Sequence, residues 1–144
     1  MDALYGEYLD FLQSLGKTLE QLTQLAQDKA KAVRQDDLQG LNTLMKREQA
    51  LSLAMRNMDK KRETMLAQMG LAGIPLSGLA KSYPEGLRAR AKDVSEDLQR
   101  QYSLYASAAE VARTTLECNL HQIEKVLSAQ EGAGGEAGFT DIRI

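Results

Sequence analysis

The stretch Val33-Arg34-Gln35-Asp36-Asp37-Leu38 decides the architecture of this 144-residue chain. Upstream of it, from Leu4 to Val33, a seam recurs at alternating steps of four and three: Tyr8, Leu12, Leu15, Leu19, Leu22, Ala26, Lys29 and Val33. Phe11, Thr18 and Leu25 widen it on one side. That period is an amphipathic helix of about 45 Å at about 1.5 Å per residue. Gly16 within it is a point where a partner helix can come close. After Val33 the next apolar residue, Leu38, comes five positions on, and the phase slips. Asp36 is placed to cap a following helix, with Gln39 three residues later closing a capping box. No glycine or proline enforces the break, so a single unbroken helix is the alternative; the slip favours a tight turn.

Downstream, a second helix from Asp37 to about Met69 carries a seven-residue repeat. One position holds Leu41, Glu48, Met55, Arg62 and Met69, and the other holds Leu44, Leu51, Met58 and Met65. Two charges therefore fall on an otherwise apolar seam. A turn near Gln35 places Arg62 near Leu9 and Asp10, and Glu48 near Thr23. The expectation is that both charges snorkel along the seam edge and set register; direct binding is the alternative. The methionines of this helix, Met45, Met55, Met58, Met65 and Met69, are read first as core filling and second as an adaptable binding surface.

Gly70, Gly73, Pro75 and Gly78 then interrupt the pattern. Within this break, Leu76-Ser77-Gly78-Leu79-Ala80 fits one helical turn covering the end of the hairpin. Ser82-Tyr83-Pro84-Glu85 reads as another capping box, with proline in the tolerated first turn. From Tyr83 to about Gln130 a third helix follows the stripe Leu87, Ala91, Val94, Leu98, Tyr102, Tyr105, Ala109, Ala112, Leu116, Leu120, Ile123 and Leu127. At about 70 Å it outreaches the first two helices by some 20 Å. Residues beyond roughly Leu116 are then left without an intramolecular partner. Leu116, Leu120, Ile123, Val126 and Leu127 are nevertheless as apolar as the rest, which marks an interaction surface. A glycine-rich link, Gly132 to Gly138, leads to Phe139-Thr140-Asp141-Ile142-Arg143-Ile144, which holds one of two Phe and two of four Ile in the chain. Phe139, Ile142 and Ile144 join the candidate partner-binding residues.

Composition narrows the classes. Leu, Ala and Met supply most of the 43% apolar content, while Val, Ile and aromatics are scarce. Helices tolerate the first group and sheets need the second, so an all-β fold is excluded and an α/β sheet disfavoured. Eighteen Lys+Arg against 20 Asp+Glu, interleaved, give a net charge of −2. The basic clusters Lys46-Arg47 and Lys60-Lys61-Arg62 sit beside Glu48, Asp59 and Glu63, which is a solvated helix face and no phosphate-binding surface. The single Cys118 rules out an internal disulfide and suits a reducing cytosol. The N-terminal residues lack the pattern of a signal peptide, and no run is long enough to span a bilayer.

No catalytic constellation emerges. The one histidine, His121, shares a helical face with Cys118 and lies near Glu117 and Glu124, which reads as a surface or interface histidine. A di-iron bundle wants two Glu-x-x-His motifs, and here Glu124 follows the lone histidine. The Gly132–Gly138 run lacks the following helix and the Lys-Ser/Thr pair of a P-loop. No cofactor, metal or enzymatic activity is expected.

The order of these features resembles the FlgN-type flagellar export chaperones. The likeness is carried by Asp36-Asp37-Leu38, Leu41, Leu44, Glu48 and Leu51 with Arg62, by Leu76-Ser77-Gly78-Leu79 followed by Pro84-Glu85, by Leu120-x-x-Ile123, and by terminal Ile142-Arg143-Ile144. One departure stands out: where the family often has an Asn-rich stretch, this chain reads Val111-Ala112-Arg113-Thr114-Thr115-Leu116, with Asn only at 119. The resemblance implies a cytosolic bacterial chaperone that binds hook–filament junction proteins through their helical terminal regions. It would keep them soluble and deliver them to the flagellar export apparatus. A scaffolding coiled coil that self-associates as a homo-oligomer through the third helix is the alternative.

The expected fold is all-α: an elongated antiparallel three-helix bundle or coiled coil, with a short helical turn before a long third helix and a flexible C-terminal tail. Residues 1–131 form one helical domain, and 132–144 the linker and apolar tail.

Overall fold

In the computed structural model the chain turns back on itself at Gln35–Asp37. The structure describes residues 2–131, with side chains from Ala3 to Leu120. Helix α1 spans Asp2–Arg34, α2 spans Leu38–Gln68 and α3 spans Arg88–Glu131, unbroken. Asp36 does not cap α2. It adopts a left-handed conformation, φ 55°, and closes α1: its N–H donates to Val33 O at 3.2 Å, and the Asp37 N–H donates to Ala32 O at 2.9 Å. This is a Schellman ending, which satisfies carbonyls that the helix terminus leaves free. The cap of α2 is Asp37, whose carboxylate accepts the Gly40 N–H at 2.9 Å. The reciprocal bond expected from Gln39 is absent because the Asp36 N–H is already committed to α1. A Cβ at position 40 would lie 2.2 Å from the Asp37 carboxylate, so a larger residue there would displace that cap.

A second Schellman ending closes α2, with Gly70 at φ 72° and the Leu71 N–H donating to Leu66 O at 2.8 Å. Beyond it, the single turn expected over Leu76–Ala80 is two successive 3₁₀ turns, Leu76–Gly78 and Ala80–Ser82. They bury Leu79 against the helices. The capping box at Ser82 is also corrected: its hydroxyl donates to Gly78 O, and no side chain caps the Glu85–Leu87 turn that follows. Pro84 explains the later start of α3. Tyr83 and Pro84 are both extended, as the residue before a proline is driven to be, with ψ of 153° and 147°. Tyr83 is therefore a buried loop residue. Its hydroxyl donates to Tyr5 O at 2.9 Å and its ring meets Tyr5 edge-on at 4.7 Å.

The pairs Asp10–Arg90, Glu20–Gln101 and Val33–Asn119 run in the same order along both helices, so α3 lies parallel to α1. Thr18–Met58 and Lys29–Glu48 run in opposite order, so α2 is antiparallel. Helix α1 is the shared partner, approached closely along its backbone by both α2 and α3. Its sequence explains this, because Leu9, Leu25, Ala30 and Ala32 bury further faces beside the seam. The main core gathers at the end where α1 begins, around Tyr8, Leu9, Leu12, Leu15, Leu19, Met65, Leu79, Tyr83, Val94 and Leu98. At the other end two small clusters, Ala26–Ala30–Ala112 and Ala32–Val33–Leu41, finish the bundle.

Candidate partner-binding surface

The bundle's interior polar groups come first, because one is a charge that sequence placed at the seam edge. Glu48 does not snorkel. It is buried, and Lys29 Nζ lies 2.9 Å from its Oε1 and 2.7 Å from its Oε2. Thr23, the expected neighbour, turns toward α3 and lines a groove there. The other seam charge, Arg62, is half-buried, with its Nε enclosed and without a hydrogen-bond partner. Its charge acts on Tyr8 and Tyr102, whose hydroxyl pKa values burial raises and the guanidinium partly restores. Asp10, the other expected neighbour of Arg62, pairs instead with Arg90 of α3 at 2.6 Å. Tyr105 faces the Glu48 carboxylate from α3; burial and that negative charge both push its pKa up, and its hydroxyl has no hydrogen-bond partner.

The proposed overhang of α3 begins later than the sequence suggests. Leu116 is half-buried against the Ala32–Val33–Leu41 cluster and so belongs to the bundle. Asn119 then donates through Nδ2 to Val33 O at 2.9 Å, satisfying a carbonyl of the last turn of α1. Leu120 is half-buried at the margin. Helix α3 runs on to Glu131, but the side chains of Ile123, Val126 and Leu127 lie outside the described residues, as do Phe139, Ile142 and Ile144. The methionines Met65 and Met69 are buried, and Met55 and Met58 lie against the main core.

Sequence reasoning passed over a second surface. A groove of about 430 Å³ runs between α1 and α3, lined by Thr23, Gln27, Ala30 and Arg34 on one side and Leu104, Ser107, Ala108 and Val111 on the other. Leu104 is 51% exposed and Val111 56%, among the most exposed large apolar residues described. The floor is alanine, so the two helices approach closely and leave a shallow trough. Past Val111 it continues over Thr114, Thr115, Cys118 and Asn119, with Arg34 and Glu110 at its sides. The signal was present: Leu104, Ala108, Val111, Thr115 and Cys118 recur at four and three on a face beside the main stripe. Their small or polar members hid it.

The family model described as FlgN protein matches residues 1–138. The chain belongs to the FlgN family. No curated protein and no solved structure matches it. FlgN proteins are flagellar export chaperones, so the coarse role of this chain is a chaperone of flagellar biogenesis, and its chemistry is that of a surface that holds other chains. Helix α3 carries an exposed apolar groove at one flank and runs on past its last contact with α1. Among the described residues no group of His, Cys, Asp and Glu is arranged to hold a metal ion, and no helix is long and apolar enough to cross a membrane.

Proposed function

We propose that this FlgN-family chain binds hook–filament junction proteins through their helical terminal regions in the bacterial cytoplasm, keeps them soluble and hands them to the flagellar export apparatus. The observation that carries the reading is the continuation of α3 to Glu131, beyond the Asn119 contact that closes the bundle. In proteins most helical stability comes from packing an amphipathic face rather than from propensity. A client's amphipathic helix laid against Leu120, Ile123, Val126 and Leu127 would supply them with apolar neighbours, in the helix-in-groove manner. Leu120, Ile123, Val126 and Leu127 are the proposed contact, joined by Phe139, Ile142 and Ile144 of the tail.

The test is co-purification with a co-expressed hook–filament junction protein. A variant lacking residues 132–144 and carrying Leu120→Asp and Ile123→Asp loses the client, while its thermal unfolding by circular dichroism changes little. Unaltered binding by that variant overturns the assignment. Sedimentation of the chain alone separates the scaffolding alternative, which requires a fixed oligomer at all concentrations.

A further inference from the structure

The α1–α3 groove lies on the flank of the bundle and needs an occupant of its own. Along α3 it extends from Leu104 to Cys118, about 21 Å at about 1.5 Å per residue. That is too short and shallow for a long helix, but it equals the span of about six extended residues at about 3.3–3.6 Å each. Its apolar wall is Leu104 and Val111. One cation at its side, Arg34, has no carboxylate within ion-pair distance among the described residues, whereas Glu110 is already paired with Arg113.

The chain carries a six-residue segment of matching chemistry beyond α3. Phe139-Thr140-Asp141-Ile142-Arg143-Ile144 alternates large apolar groups with one acid and one base, and Gly132–Gly138 precedes it. From the end of α3 at Glu131, Phe139 can reach about 26–29 Å, and Cys118 lies about 20 Å back along the helix. Ile142 can reach about 36–40 Å, and Val111 lies about 30 Å back; Ile144 can likewise attain Ala108. Four glycines among residues 132–138 ease the reversal.

We propose that Phe139–Ile144 folds back onto its own chain and covers the α1–α3 groove, with Ile142 over Val111 and Ile144 toward Ala108, two side chains that share one face of an extended segment. Asp141 lies beside Arg34. The tail thereby shields exposed apolar surface in the protein alone. The contact is intramolecular and does not depend on which protein the chain binds.

The experiment uses the full chain with Cys118→Ser and Thr140→Cys, carrying a nitroxide on the new cysteine and labelled at Leu and Val methyls for NMR. The Leu104 and Val111 methyl signals lose intensity and regain it when the nitroxide is reduced, whereas Leu53, exposed on α2, is affected far less. Adding Ile142→Asp and Ile144→Asp abolishes the loss. A mixture of methyl-labelled chain without nitroxide and unlabelled chain with it shows none. Unchanged Leu104 and Val111 signals in the first sample overturn the proposal. So does broadening that survives the tail substitutions, or broadening in the mixture, which would assign the groove to a second copy.

Discussion

Breaking the Lys29–Glu48 pair should destabilise the protein far more than replacing it whole. The two side chains are 7% and 6% exposed, and the ammonium sits 2.7 Å from the nearer carboxylate oxygen. At an effective dielectric of about 20, that separation is worth about 6 kcal/mol of attraction. Withdrawing each ion from water costs several kcal/mol, so the pair's net contribution is small. Removing one partner keeps the cost and forfeits the attraction. Lys29→Met and Glu48→Leu should each cost about 3–5 kcal/mol, a large share of an ordinary folding free energy of about 5–15 kcal/mol. The double variant should recover most of the loss, and a well-packed apolar replacement can exceed the parent by about 1–4 kcal/mol. Tyr105→Phe, which removes a buried hydroxyl lacking a partner, should be neutral or stabilising. Urea unfolding followed by far-UV circular dichroism gives all four values, with the midpoint moving and the slope unchanged. Single variants costing below about 1 kcal/mol, or a double variant costing the sum of the two, would refute a coupled, desolvated pair.

Gly16→Ala should stabilise by about 1 kcal/mol in the same assay, because the site is mid-helix and the new methyl would sit 3.8 Å from Leu98 Cδ1, in ordinary contact; a loss would mean that α1 and α3 cannot admit it. Asp36→Gly should gain about 0.5–1 kcal/mol by relieving the left-handed residue that Gly70 occupies freely in the matching motif; no gain would show that the Asp36 side chain compensates its backbone. Stability should also fall in alkali. Burial raises the hydroxyl pKa of Tyr8 to about 12 and raises Tyr83, Tyr102 and Tyr105 as well, above the unfolded value of about 10. The folded chain thus holds protons that the unfolded chain releases. This contribution is complete below about pH 10 and disappears as pH rises from there through about 12. Tyrosine ionisation followed by ultraviolet absorbance should coincide with loss of helix, and ionisation of all five tyrosines near pH 10 with the helices intact would contradict it.

The fold was legible because period and interruption act locally. The phase slip after Val33, the Gly70–Gly78 break and the heptads of α2 each locate a helix boundary without knowledge of what lies opposite. Boundaries failed where two motifs compete for the same backbone groups. Asp36 and Asp37 are chemically identical as caps, and only the demand of α1 for an N–H at Val33 O decides between them. Register failed for a related reason. Lys29 stood in the α1 seam and Glu48 in the α2 seam, yet their pairing depends on the axial offset that the Gln35–Asp37 turn imposes: with Thr18 against Met58 and Lys29 against Glu48, α2 meets α1 nearer its C-terminal end than a turn centred on Gln35 implies. With Thr23 turned to α3, Lys29 is the α1 residue that meets Glu48.

The candidate surface was harder to read than the core. Helix α1 must serve two partners, and where it meets α3 near the α1–α2 turn it does so through Ala26, Ala30 and Ala112. Alanine permits close approach but supplies little apolar area, so this end gains less from burial than the Tyr8–Leu98 end. Close approach also brings the flanking Leu104 and Val111 to the rim of the contact, where neither α1 nor α2 covers them. Exposure of these two residues is therefore a consequence of small residues in the seam. A sequence stripe of large apolar residues predicts a core, whereas small residues in the seam beside large ones on the adjacent face predict a groove. Helix α3 has both, in that order along its length, and the change occurs near Tyr105, at the level of the buried pair. From there to Asn119 the helix is held to α1 mainly by alanines and by the bond to Val33 O, which leaves Leu104 and Val111 exposed on its flank.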